Sequence, residues 1–276
     1  MNAVGWQGAE ITGPDLRGPF DAAFRARALE TLHAHKTVCY RDQNLTDAQF
    51  RDFALLFGPL EPRIAAYDRG ERFQDLHLMT NVAADGTLSA GHQDTANRGW
   101  HSDKSYKPKP SMTTLLYALA VPNEGGETEF ADTEAAYAAL PDATKQQIAG
   151  LRVRHHWEFA YDGKPGFREA SDNEKRANPP AVHPLVRTHP ANGRKALYLS
   201  YFAADIVDLP RAEGRALLDE LTEHTIQDRF ISAHHWERGD VVMWDNRCLM
   251  HRGRPYDHNT QPRTLMRAVV QGDIPV

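Results

Sequence analysis

The sequence predicts a mainly β fold with flanking helices, built on an antiparallel double-sheet jelly roll (a double-stranded β-helix). Strand-like runs sit at both ends of the C-terminal half, and the strand-helix alternation of a parallel sheet is missing. An Asn-Gly turn signal at Asn192-Gly193 lies between two further apolar runs and marks a hairpin. At 276 residues the chain exceeds the usual domain size, but jelly rolls with added helices reach this length as one unit, so a single domain over residues 1–276 is expected.

Each element follows from its residues. The segment from Asp21 to His35 carries Phe24, Ala28, Leu29 and Leu32 at helical spacing and gives way to Thr37-Val-Cys-Tyr40, a β-branched and aromatic strand. Thr46 stands three residues before Gln49 and opens Phe50, Phe53, Ala54, Leu56 and Phe57, a capping box ahead of an apolar helical face that Gly58-Pro59 ends. Met112 to Ala120 predicts a strand, and Thr133 to Leu151 a helix broken at Pro141. Residues 63–100 are polar and Gly-rich, with strand character only from Leu76 to Met79, and residues 163–181 are polar and irregular. Loops of that length are expected to be lids over a site. Pro184 to His189 and Lys195 to Ser200 form the hairpin arms, and Pro210 to Gln227 is an amphipathic helix with Leu217, Leu218 and Leu221 inward. Phe230 to Trp236, Asp240 to Trp244 and Arg263 to Val270 are the closing strands.

Composition excludes several classes of function. Apolar residues at 41% and charged residues at 25% allow an ordinary core. The formal charge is −5, and Lys and Arg are scattered among acids, so neither a nucleic-acid nor a membrane partner is indicated, and an anionic ligand must be met by local cations. Cys39 and Cys248 are too few for a disulfide framework, Met1 to Gln7 lacks a leader pattern, and no apolar run reaches the roughly 20 residues of a spanning helix, which together predict a cytoplasmic protein.

Candidate chemistry lies among the histidines. Two His and one carboxylate on one face of a metal leave adjacent positions open for a bidentate oxoacid and dioxygen, and His-x-Asp/Glu on extended chain points both side chains the same way. With 14 His and 37 acids, about two such pairs arise by chance, so the pattern alone is weak. Four occur: His92-Gln-Asp94, His101-Ser-Asp103, His156-Trp-Glu158 and His235-Trp-Glu237. The first sits in a Gly-rich loop with no pleat to converge its side chains, and the last two lie among bulky residues where a His is usually structural. His251, after Trp244-Asp-Asn-Arg-Cys-Leu-Met, fits best as a distant third ligand, although a lone His is more often a packed residue. Arg263 and Arg267, four apart on a strand, share a face: they either face solvent or, pointing inward, each require an anion.

Trp100-His-Ser-Asp103, Gly125-Gly-Glu-Thr-Glu-Phe130, Pro184-Leu-Val-Arg-Thr-His189 and Val242-Met-Trp-Asp-Asn-Arg-Cys-Leu-Met-His-Arg-Gly253 resemble the taurine and 2,4-dichlorophenoxyacetate dioxygenase family of Fe(II)/2-oxoglutarate enzymes, most closely its herbicide-cleaving branch. The likeness extends over nearly the whole chain. It implies that His101, Asp103 and His251 hold Fe(II) and form the catalytic centre, and that Thr128 and Arg263 hold the distal carboxylate of 2-oxoglutarate. Arg267 then takes the anionic group of the substrate, with Asn97 and Arg63 as further substrate contacts. Lys104, directly after Asp103, departs from the family pattern and reads as an exposed side chain. The implied reaction consumes O2 and 2-oxoglutarate, releases succinate and CO2, and hydroxylates a small anion, an aryloxyalkanoate or related carboxylate, next to its heteroatom. An alkyl sulfonate substrate, a zinc hydrolase on the same ligands and a jelly roll that binds without turnover are the alternatives. Relatives of this kind commonly assemble, so a homo-oligomer is expected.

Overall fold

A computed structural model describes residues 5–62, 73–83, 85–88, 99–160 and 171–276. In chain order its elements are β1 (Ala9–Ile11), α1 (Ala22–His35), β2 (Thr37–Tyr40), α2 (Asp47–Leu55), β3 (Leu76–Thr80), β4 (Ser111–Ala120), β5 (Thr128–Asp132), α3 (Thr133–Ala138), α4 (Asp142–Ile148), β6 (Arg152–His155), α5 (Asp172–Ala177), β7 (Ala181–Pro184), β8 (Val186–Thr188), β9 (Lys195–Leu197), β10 (Ala203–Ile206), α6 (Arg211–Thr225), β11 (Ile231–His234), β12 (Val241–Asp245), β13 (Leu249–Gly253) and β14 (Thr264–Gln271). A six-stranded sheet of order β1-β2-β12-β4-β14-β3 packs against a three-stranded sheet of order β11-β5-β13. Between β11 and β14 the chain passes from one sheet to the other at every step, which is the winding of a jelly roll.

Three apolar layers follow from side-chain alternation. On β12, Val242 and Trp244 point between the sheets to meet Phe130, Leu116 and Leu265, whereas Val241 and Met243 point outward under α1 and α2. Leu32 of α1 and Phe50 and Phe53 of α2 cover that outer face. Behind the smaller sheet, Ala131, Ile231 and Met250 pack under Ile148 of α4 and Leu217, Leu218 and Leu221 of α6. A strand buried on both faces explains why Val241 to Trp244 reads as continuously apolar.

Most of the predicted elements form, and the local reasons are visible. Asp21 caps α1 by accepting from the Phe24 N–H at 2.6 Å. The capping box of α2 closes in both directions, with Gln49 N–H to Thr46 Oγ1 at 3.3 Å and Thr46 N–H to Gln49 Oε1 at 2.9 Å. The helix expected from Thr133 divides at Pro141 into α3 and α4. The hairpin forms as antiparallel β8 and β9, with Gly193 at φ 72° where a side chain would be strained.

The structure also departs from the expectation. Strands β1, β5, β6, β7, β10 and β13 were not predicted, and the second lid segment, expected to be irregular, contains α5 at Asp172–Ala177. Residues 161–170 of that lid, and most of the first lid with Arg63, Asn97, His92 and Asp94, lie outside the described residues. No helix among the described residues is long and apolar enough to cross a membrane.

Phe53 is fully buried, with ring centroids of Phe20, Tyr40 and Phe57 within 5.6 Å. Phe53→Ala is expected to destabilise the protein by about 3–5 kcal/mol. Thr46→Ala, which loses only the cap, should cost about 1 kcal/mol. Urea melts separate the two, and equal small losses would show that α2 is peripheral to the core.

Candidate active site

Two backbone hydrogen bonds assemble the centre. The His101 N–H donates to the His251 carbonyl at 3.0 Å, and the His251 N–H donates to the His101 carbonyl at 2.8 Å, an antiparallel bridge that adds residue 101 to the free edge of β13. His251 therefore lies within a strand rather than after one, opposite Phe130 on β5. Directly facing residues project to the same face, so the two imidazoles meet with centroids 4.1 Å apart. Asp103, two residues beyond His101, joins them: Nε2 of His101 is 3.8 Å from its Oδ1 and Nε2 of His251 is 3.7 Å from its Oδ2. These separations are too long for hydrogen bonds, and the three ligand atoms lie within 4.8 Å of one another, as donors around one ion would.

The protonation states suit a metal. His101 Nδ1 lies 2.8 Å from the Gly99 carbonyl, which only accepts, so Nδ1 carries a proton and Nε2 is the nitrogen turned to the centre. Burial, reinforced by His101 and opposed by Asp103, pushes His251 well below the usual imidazole range and keeps it neutral. Burial alone would raise the Asp103 carboxyl. Arg267 above all, with the imidazoles and the Thr114 hydroxyl, outweighs burial and holds Asp103 ionised below the usual carboxylate range. Two imidazoles and one carboxylate fit a ferrous ion.

Two residues that the sequence reading did not single out orient Asp103. Thr114 donates to Oδ2 at 2.5 Å, and Asn246 Oδ1 accepts the Asp103 N–H at 3.3 Å. Asn246 is itself held by Trp244 Nε1 at 3.1 Å and donates to Thr114 Oγ1 at 3.0 Å, while its carbonyl accepts from Ser102 at 2.7 Å. No local pattern marks such contacts, because the fold and not a short repeat brings Thr114 and Asn246 to Asp103. Lys104 corrects an expectation: far from exposed, it takes a left-handed conformation at φ 53° and pairs with Glu61, both side chains being largely buried.

Two other buried groups have the composition of a metal site, Cys39-His234-Asp240 and His189-Asp245-Cys248. In each the histidine Nε2 already sits 3.0 Å from the carboxylate, a direct hydrogen bond with no room for an ion. Each aspartate also meets an arginine, Arg41 at 2.8 Å and Arg247 at 2.6 Å, and burial raises both thiols, so neither offers a thiolate. Among the described residues His156 and Glu158, and His235 and Glu237, join no such group.

The remaining candidates surround the centre. Thr128 opens β5 opposite Gly253, and its hydroxyl accepts from Trp236 Nε1 at 3.1 Å, which leaves the hydroxyl proton to donate to an anion. It is presented by Gly125 and Gly126, both left-handed at φ 75° and 73°, where a Cβ on Gly125 would strike the Pro255 carbonyl at 2.5 Å. Arg263, just before β14, reaches the Gly126 carbonyl at 3.3 Å, and its N–H donates to Asn81 Oδ1 at 2.7 Å. Arg267 turns inward from β14 and donates to Asp103 Oδ1 at 2.6 Å. Asn97 and Arg63 lie outside the described residues.

A jelly roll with two histidines, one aspartate and two inward arginines defines a 2-oxoglutarate-dependent non-haem iron dioxygenase. The family model "Taurine catabolism dioxygenase TauD, TfdA family" matches residues 3–269. The chain is 41% identical over 276 residues to the alpha-ketoglutarate-dependent 2,4-dichlorophenoxyacetate dioxygenase of Cupriavidus pinatubonensis (strain JMP 134 / LMG 1197), covering 96% of this chain and 94% of the relative. It is 34% identical over 278 residues to the (S)-phenoxypropionate/alpha-ketoglutarate-dioxygenase of Sphingobium herbicidovorans, covering 96% and 92%. Among solved structures, that of AAD-2 in complex with Mn(II) and N-oxalylglycine superposes with a TM-score of 0.87 at 39% identity, covering 99% of this chain and 98% of that one. The protein belongs to the TauD, TfdA family.

Removing the Thr114 hydroxyl while keeping its shape leaves Asp103 without one of its two side-chain donors. Thr114→Val is expected to weaken Fe(II) binding about 10- to 100-fold, read by anaerobic titration of the apoprotein. Wild-type affinity in this variant would show that the hydroxyl does not orient the carboxylate.

Proposed function

We propose that the protein hydroxylates a small carboxylate-bearing substrate, an aryloxyalkanoate or a related acid, at the carbon next to its heteroatom. In this reading His101, Asp103 and His251 hold the iron, Thr128 and Arg263 hold the distal carboxylate of 2-oxoglutarate, and Arg267 holds the substrate anion. The observation that carries it is the position of Arg267. Its guanidinium touches an oxygen of Asp103, so an anion paired with it lies against the iron ligands, with the adjoining carbon toward the centre.

When bound, Fe(II) and 2-oxoglutarate supply the oxidising chemistry: O2 places one oxygen atom in the succinate formed with CO2 and the other in the substrate C–H bond. The chain's own groups do the positioning. A hydroxyl from Thr128 and a planar fork from Arg263 match a carboxylate and set the reach of the oxoacid from β5 and β14 to the ligands. Arg267 uses a second fork for the substrate, and the apolar wall of Phe130, Trp244 and Leu265 keeps water from the inner side. Hydroxylation of an aryloxyacetate next to the ether oxygen gives a hemiacetal, which breaks its carbon-oxygen bond to release a phenol and glyoxylate.

A sulfonate would pair with Arg267 in the same way, so carboxylates and sulfonates form the two arms of the test. The same reading takes residues 1–276 as one cytoplasmic domain that self-associates. Buried free Cys39 and Cys248 suit a reducing compartment, and a scattered charge of −5 gives no reason to add a nucleic-acid or membrane partner.

The decisive measurement is succinate release from 2-oxoglutarate under Fe(II) and air across a panel of small carboxylates and sulfonates. Stimulation by aryloxyalkanoates is expected; stimulation by sulfonates alone would overturn the substrate class. Arg263→Ala should weaken 2-oxoglutarate binding by roughly one to two decades, since a charge-assisted hydrogen bond contributes about 1.5–3 kcal/mol. For Arg267→Ala the loss should fall on the primary substrate, and a loss confined to 2-oxoglutarate would mean the two roles are exchanged. His101→Ala should abolish stoichiometric iron, whereas His92→Ala and His235→Ala should retain it. Equal loss in all three would refute the ligand set.

A further inference from the structure

We infer that Arg252 is a positioning residue for the iron site: stacked on Trp100 and locked to Glu129, it clamps from behind the bridge that sets His101 against His251. The inference rests on the ligand assignment proposed above and extends it to the opposite face of the same strands.

The register leads to this reading. In an antiparallel pair centred on His101 and His251, the neighbours Trp100 and Arg252 also face each other, and alternation turns them away from the metal. The Arg252 guanidinium lies 4.5 Å from the centroid of the Trp100 ring. On the other edge of β13, Arg252 is the register partner of Glu129, and its Nε donates to Glu129 Oε2 at 2.6 Å. A row of three side chains therefore crosses the segment at 100, β13 and β5, directly behind the two imidazoles.

Burial and charge make the row stiff. Glu129 is 2% exposed, and Arg254 engages its other oxygen with Nε at 2.8 Å and Nη2 at 2.6 Å. Trp100 is buried against Met250 and Ala131 on the outer side of the small sheet. Arg252 keeps 37% of its side chain exposed, but a planar guanidinium fixed by a buried carboxylate forms a stiffer plate for the indole than an unpaired arginine would.

The clamp acts where the backbone is thinly tied. The segment at residue 101 meets β13 through an isolated bridge, not a ladder. Asn246 secures the Asp103 end of the segment through Ser102 and the Asp103 N–H. At the Trp100 end, the Tyr201 N–H donates to the Trp100 carbonyl at 2.9 Å, and the Arg252 stack supplies the side-chain contact. Without the stack, the two backbone hydrogen bonds of the bridge remain, but the Trp100 end that flanks them is held less firmly and the separation of the two imidazoles varies more. Arg254 remains on Glu129 in that case, so no buried charge is stranded.

The test is a Co(II) titration of the apoprotein, read by its visible d–d spectrum, with the apoprotein melting temperature measured in parallel. Arg252→Gln is expected to weaken Co(II) binding about tenfold, the scale found when groups supporting a metal ligand are removed, and to alter the d–d bands. Arg252→Lys, which keeps a cation between indole and carboxylate, should recover part of the loss. Trp100→Leu removes the stack from the other side and should change affinity and spectrum in the same direction. Lower melting temperatures with Co(II) affinity and bands unchanged would overturn the clamp and leave an ordinary stabilising contact. His101→Ala separates the two levels. If it abolishes Co(II) binding while Arg252→Gln and Trp100→Leu bind as wild type does, the clamp alone fails. Should His101→Ala bind Co(II) normally, the ligand assignment fails and the clamp with it.

Discussion

The reciprocal pair of hydrogen bonds between His101 and His251 is the constraint from which the site is built. A hydrogen-bonded antiparallel pair holds its Cα atoms about 5.5 Å apart with both side chains on one face, a spacing that brings two imidazoles to a common ion. The same register decides the rest. Asp103 follows His101 by one pleat, and β5, on the other edge of β13, brings Phe130 opposite His251 and Thr128 opposite Gly253. A slip of one residue along β13 would turn His251 outward and Arg252 inward, and no ligand set would remain.

Such a bridge brings a carboxylate into an apolar mouth, where its burial must be offset. Thr114 and the Asn246 junction fix the orientation of Asp103, while Arg267 supplies the countercharge that keeps it ionised. The other two His-Asp groups show the alternative outcome. There the carboxylate bonds directly to the histidine and to an arginine, the charges close among themselves, and the result is a structural contact. What separates the candidate metal centre from its lookalikes here is under one ångström of added distance between imidazole and carboxylate, together with thiols that stay protonated in the lookalikes.

How much of this was legible in the sequence depends on whether an interaction is local. The caps at Asp21 and Thr46, the break at Pro141 and the turn at Gly193 involve residues a few positions apart, and all were readable. Strand β12 was readable because both of its faces are apolar. Strands β5 and β13 were not: Thr128-Glu-Phe-Ala-Asp132 carries two acids, and Glu129 is buried only because Arg252 and Arg254 arrive from another strand. Helix α5 is six residues in a polar run, too short for a periodic signal. In the site, the spacing of His101 and Asp103 and the pairing of Arg263 with Arg267 were visible as patterns. Thr114 and Asn246 were not, since a hydroxyl eleven residues from Asp103 and an amide 143 residues away acquire their roles only through the fold.

Charge balance connects the two arginines to the chemistry. Taken with the proposed roles, an Fe(II) ion, Asp103, Arg263 and Arg267 carry a formal surplus of three positive charges inside a mouth walled by Phe130, Trp244 and Leu265. Binding the 2-oxoglutarate dianion removes two of them, and a monoanionic substrate removes the third. A neutral substrate would leave one positive charge of the site without a counter-anion, with Arg267 still paired to Asp103. In the structure Arg267 pairs with Asp103, so on the proposed roles a substrate anion would compete with that carboxylate for the same fork.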